Sequence, residues 1–172
     1  AQLSNAMDAY GSTVYRLALT RMQNIADAED VYQEVFLRLW KQAAEDWDGD
    51  RAKAWLIRTT LNRCADLHRF HLRRPVLSFA EIPDLAQPED ESRELWEAVS
   101  RLPEKARTAV HLYYAEGYSA EEISQLMHIP AATVRTRLHR ARKQLKELLG
   151  GIDDETCVSR SDGTNFGPQR AE

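Results

Sequence analysis

The sequence predicts an all-α protein built as two small helical domains joined by a flexible acidic linker. Three observations lead there. Helix formers such as Ala, Leu, Glu, Arg and Gln are plentiful, whereas the 172 residues hold only 7 Gly and 6 Pro. Apolar residues recur at three- and four-residue spacing, and no run alternates apolar with polar residues over the length of a strand. A stretch rich in acids and proline interrupts the periodicity near the middle. A chain of this length holds one ordinary domain or two small ones, not two large cores.

Residues 1–6 precede Met7 without an apolar period and read as an expression remnant outside the fold. Over residues 8–22, Val14, Leu17, Ala18 and Met22 share one helical face. Residues 24–26 break this helix. Asp27 then stands where an N-cap belongs, and Asp30, three residues on, completes a carboxylate form of the capping box. The second helix continues through Val31, Val35, Leu39 and Ala43. Asp46-Trp47-Asp48-Gly49-Asp50 has too many turn formers to stay helical. A third helix is expected over residues 51–71, with Trp55 in the core beside Leu56 and Leu61. Pro75 closes the block, giving a first domain over residues 7–74.

Residues 75–94 hold Pro83, Pro88 and six acids with little periodicity, the composition of a linker. About 20 extended residues reach roughly 65 Å, close to two turns of B-DNA at about 34 Å each. A second domain follows over residues 95–149. It begins with a helix over residues 95–101, breaks at Leu102-Pro103 and resumes as a helix over residues 104–115 that Gly117 ends. Ser119 and Glu122 form a capping box for a short helix through Ile123, Leu126 and Met127. Pro130 stops it, and a last helix covers residues 132–149. Residues 150–172 are polar and aperiodic and are expected to be a disordered tail.

Composition excludes several classes of function. Cys64 and Cys157 stand far apart without CxxC spacing, so neither a disulfide framework nor a zinc site is expected; a reducing cytoplasm fits. With no charged-then-apolar stretch and no apolar run near twenty residues, neither a secretory signal nor a membrane span is expected. For catalysis, His68 and His71 with Asp66 come closest to a constellation, but with no second ligand group nearby they read as a solvated helix end. No catalytic residue, metal or cofactor is therefore expected.

The net charge of −4 hides a strong partition: +1 over residues 1–74, −5 over 75–95, +3 over 96–149 and −3 over 150–172. Residues 133–149 set Arg135, Arg137, Arg140, Arg142, Lys143 and Lys146 against Glu147 alone. A capped short helix, a turn and a basic amphipathic helix describe a helix-turn-helix unit, whose second helix fits the DNA major groove. Val134, Leu138, Ala141, Leu145 and Leu148 form one seam of that helix; Ala132, Thr136, His139 and Lys143 lie opposite, flanked by Arg135 and Arg140. Arginine can donate two hydrogen bonds to guanine, so Arg135 and Arg140 are candidates for base reading, with Thr136 and His139 between them. Arg137, Arg142, Lys143 and Lys146 suit phosphates. The alternative is a basic face that is merely solvated, although such a face should mix its signs.

Two motifs carry a resemblance that extends over residues 8–149. DAEDVYQEVFLRLW (27–40) with AWLIRTTLNRCADLHR (54–69), and LPEKARTAV (102–110) with YSAEEISQLMHIPAATVRTRLHRARKQL (118–145), resemble regions two and four of the extracytoplasmic-function group of bacterial RNA polymerase sigma factors. The resemblance implies a factor that binds the RNA polymerase core enzyme, melts the minus-ten promoter element through region two and reads the minus-thirty-five element through region four. It implies polymerase contacts at Asp30, Gln33 and Glu34, whose spacing places them on one helical face; ordinary solvation and capping are the alternative. Residues 47–53 correspond to a loop that captures a flipped base, with Trp47 able to stack and Lys53 and Asn62 able to contact the strand. Trp47 could equally be a core or lid aromatic. Arg69, Arg73 and Arg74 match duplex-contacting positions, or are solvent-facing cations.

Departures from the family pattern are His128 and Ala132, where small glycines are common, and the tail after Gly150. By resemblance alone, an anti-sigma factor, often membrane-anchored, is an expected partner, the chain itself not being embedded in a membrane. The rival reading is a helix-turn-helix repressor or activator whose first domain senses a ligand or dimerises.

Overall fold

A computed structural model describes residues 2–42, 49–73 and 90–150, and every described element is helical. The chain divides into two units, Ala1–Leu85 and Ala86–Glu172. None of the described helices is long and apolar enough to cross a membrane.

The first unit packs three helices against one another: α1 (Gln2–Met22), α2 (Ile25–Lys41) and α3 (Gly49–Arg73). Val14, Leu17, Ala18 and Leu19 of α1, Val31, Val35 and Phe36 of α2, and Leu56, Ile57 and Leu61 of α3 make its core. Leu19 joins the expected stripe because α1 meets both other helices and so needs a wider apolar face. Each buried Leu, Ile or Val contributes about 1.5–3 kcal/mol through the area it withdraws from water. Buried Thr60 satisfies its hydroxyl by donating to the Leu56 carbonyl one turn back, at 2.7 Å. Gly11 permits the close approach of α1 to α2, since a β-carbon there would stand 3.1 Å from the Tyr32 hydroxyl.

Several boundaries differ from expectation. α1 already runs from Gln2, because helix formers in residues 2–6 extend an established helix at little cost. The break before α2 is only Gln23 and Asn24, and Asn24 rather than Asp27 is the N-cap: its side chain accepts the Asp27 N–H at 3.0 Å. Asp27 instead sits in the first turn, where a carboxylate favours the helix dipole. Gly49 and Asp50, expected in the loop, begin α3, and the Tyr10 hydroxyl donates to the Gly49 carbonyl at 3.0 Å. Trp55 is only half-buried, since its neighbours Leu56 and Ile57 take the inward positions. Ala43 and residues 46–48 lie outside the described residues.

In the second unit α4 (Asp90–Ser100) begins inside the expected linker. Leu102 is buried after it, and the Arg107 guanidinium donates to the Leu102 carbonyl at 2.7 Å. α5 (Glu104–Val110) opens after Pro103 and passes into a π-helical segment, His111–Ala115. The continuous helix expected over residues 104–115 is thus widened in its last turn, which sends the Glu116 N–H to the His111 carbonyl five residues back at 3.2 Å. The same wide turn sets His111 Nε2 3.6 Å from the Glu116 carboxylate, both side chains only 10% exposed. Gly117, at φ +74°, then reverses the chain in a region that residues with a β-carbon avoid. α6 (Ala120–Met127) and α7 (Ala131–Leu148) complete the unit around a core of Leu112, Ile123, Leu126, Val134 and Leu138. Residues 151–172, the expected tail, lie outside the described residues.

Candidate nucleic-acid and partner surfaces

The local chemistry of residues 119–134 fixes where α7 points. Ser119 Oγ accepts the Glu122 N–H at 3.2 Å while the Glu122 carboxylate accepts the Ser119 N–H at 2.8 Å, the reciprocal box expected from the sequence. α6 ends on His128 in the left-handed region, at φ 54° and ψ 46°. Ser124 braces the turn: its hydroxyl donates to the Ile129 carbonyl at 2.5 Å, and its carbonyl accepts the Ile129 N–H at 3.1 Å. Pro130 then starts α7 with its carbonyl accepting from Thr133 and Val134.

α7 packs on α5 and α6 through Val134, Leu138 and Ala141, all buried. Leu145 is half-buried and Leu148 37% exposed, so the seam leaves the core in its last turn. On the other side Ala132, Arg135, Thr136, His139, Arg140 and Lys143 are all exposed. Arg137 is half-buried, and the Thr136 hydroxyl donates to the Ala132 carbonyl at 3.0 Å. The structure adds two features that α7 alone could not announce. Arg135 forms an ion pair with Glu121 of α6, and Arg142 lies 6.0 Å from the ring centre of Tyr113, within cation–π range.

On α2, Asp30 and Gln33 are exposed and Glu34 is half-buried, opposite the Val31–Val35 stripe. Arg38 hydrogen-bonds to Glu34 at 2.8 Å and holds its carboxyl below the ordinary value of 4.5, with charges on Arg38, Arg63 and Lys41 acting the same way and partial burial opposing. Leu37 and Trp40, 43% and 64% exposed, extend this face. The sequence signal for them was available, since neither falls on the stripe that buries Val31 and Val35. A surface groove of about 420 Å³ between α1 and α2 is lined by Gly11, Ser12, Tyr15, Glu29, Tyr32 and Gln33.

On α3, Asn62 and Arg73 are exposed and Lys53 is half-buried, whereas Trp47 and Arg74 lie outside the described residues. The cluster weighed as a catalytic rival is split between other partners. Asp66 pairs with Arg69 at 2.7 Å, and His71 reaches Asp27 of α2 at 3.1 Å, tying the end of α3 to the start of α2 rather than resting in solvent.

The family models described as Sigma-70 region 2 and Sigma-70, region 4 match residues 6–74 and 92–145. The ECF RNA polymerase sigma factor SigM of Bacillus subtilis is 32% identical over 155 residues, covering 85% of this chain and 94% of SigM. The chain belongs to the extracytoplasmic-function family of RNA polymerase sigma factors. Within that family, SigE of Mycolicibacterium smegmatis is 34% identical over 161 residues, 87% of this chain, but the chain spans only 62% of SigE. The fold matches that of the sigma factor RpoE of Bartonella quintana, solved in complex with the anti-sigma factor NepR, with a TM-score of 0.72 over 88% of this chain and 99% of RpoE, at 23% identity. In this sigma factor the region 2 match takes in most of α1 and all of α2 and α3, and the region 4 match takes in α6 and most of α7.

Proposed function

We propose that this chain directs RNA polymerase core enzyme to promoters and initiates transcription there. The exposed face of α2, with Asp30, Gln33, Glu34, Leu37 and Trp40, docks on the polymerase. Trp47, Lys53, Asn62, Arg73 and Arg74 engage the minus-ten element, and the outer face of α7 reads the minus-thirty-five element. Arg135, Thr136, His139 and Arg140 face base edges; Arg137 and Lys143 hold phosphates. The role requires no catalytic group in the chain itself. Family membership further supports an anti-sigma factor as a partner and a cytoplasmic site of action.

The observation that carries this reading is the exposure of Arg135, Arg140 and Lys143 on one face of a helix whose opposite side is locked into its unit's core. Arg140→Ala tests it in the reconstituted holoenzyme. The expected loss is about 1–3 kcal/mol of promoter binding that depends on one position of the minus-thirty-five element. Equal losses on every sequence would reassign Arg140 to phosphate.

A further inference from the structure

Arg135 differs from the other cations on the outer face of α7. Arg140 and Lys143 have no acid partner among the described residues, whereas the Arg135 Nη2 is engaged by a carboxylate oxygen of Glu121 from the preceding helix. Both side chains are largely exposed, at 59% and 62%. An ion pair so placed contributes little to folding. Nor does Glu121 serve the helix cap, which its neighbour Glu122 closes with Ser119.

We propose that Glu121 is a positioning residue for Arg135 and sets how sharply the chain discriminates at the base pair that Arg135 faces. The inference rests on the reading of α7 as the minus-thirty-five helix. A guanidinium carries five N–H donors in a rigid fork, so one nitrogen can be held while the remaining edge stays available to a base. Unheld, this long side chain samples many rotamers and meets phosphates as readily as bases. Held, it is ordered before DNA arrives, and a contact at one fixed place distinguishes bases better than a roaming charge. Glu121 also carries a negative charge near the DNA side. Its removal should therefore strengthen binding to every sequence while weakening the choice among them.

The experiment uses full-length chain assembled with core polymerase and a panel of promoters carrying single base changes across the minus-thirty-five element. The readout is the ratio of binding to preferred and altered promoters, alongside thermal unfolding of each variant. Arg135→Ala should reduce the preference at one position by roughly 5- to 150-fold. Glu121→Ala should reduce the preference at that same position by about threefold or more, and the double variant should match Arg135→Ala alone. Glu121→Gln, which retains an acceptor oxygen, should fall between wild type and Glu121→Ala. Unchanged discrimination in Glu121→Ala, with Arg135→Ala still losing its preference, would overturn the role of Glu121. Should Arg135→Ala itself keep every base preference, the base-reading assignment of Arg135 fails and the inference with it.

Discussion

His128 holds the turn between α6 and α7 in a backbone region that costs a residue with a β-carbon roughly 1–2 kcal/mol. Glycine enters it without that cost but loses more freedom on folding, so His128→Gly should stabilise the second unit by about 0.5–1 kcal/mol. Denaturant midpoints measure this, and a fall in stability would show that the imidazole contributes more than its backbone costs. Glu34 gives the first unit a pH dependence confined to acid. Arg38 lowers its carboxyl, so the stabilisation is fully present above the ordinary value of 4.5 and is lost as pH falls through the lowered one. Polymerase binding should therefore show no titration from Glu34 between pH 6 and 8, checked by comparing wild type with Glu34→Gln across that window. At this scale the sequence was legible where one local rule applied alone, as at Ser119 and Glu122. It misled at Asp27, because two capping residues three apart both fit, and Asn24 offers its side chain one turn earlier.

Among the elements, α6 and α7 are coupled through a small number of buried side chains. Leu138, buried in the seam of α7, should cost about 2–5 kcal/mol as Leu138→Ala, with loss of promoter binding following loss of the fold. Trp40 is the converse case. At 64% exposure it contributes little to the first unit, so Trp40→Ala should leave thermal unfolding unchanged while weakening association with core polymerase by about 1 kcal/mol or more. Equal binding by wild type and variant would remove Trp40 from the docking face. The helices themselves were readable because apolar spacing of three and four persists through each. The π-helical turn at His111–Ala115 was not, because the apolar pattern on either side is the same whether the last turn is α or π. The Glu121–Arg135 pair was equally hidden, since it joins two helices whose relative placement the sequence does not state.

For the molecule as a whole, a net charge of −4 is compatible with DNA binding because positive charge is concentrated on α7, while residues 75–95 and 150–172 carry most of the negative excess. Two units with separate cores divide the proposed labour, one docking on polymerase and opening DNA, the other reading it. Acidic stretches elsewhere in the chain should lower the affinity of the isolated protein for any duplex through repulsion. Core-dependent transcription is the most direct measurement. Purified chain is combined with core polymerase on a promoter chosen by selection with that same mixture, and transcripts are compared with those from core alone and duplex binding by the chain alone. Specific transcripts are expected only when chain and core are both present, with weak binding by the chain alone. Tight, specific binding by the isolated chain, with no transcripts added by its presence, would contradict the proposed role.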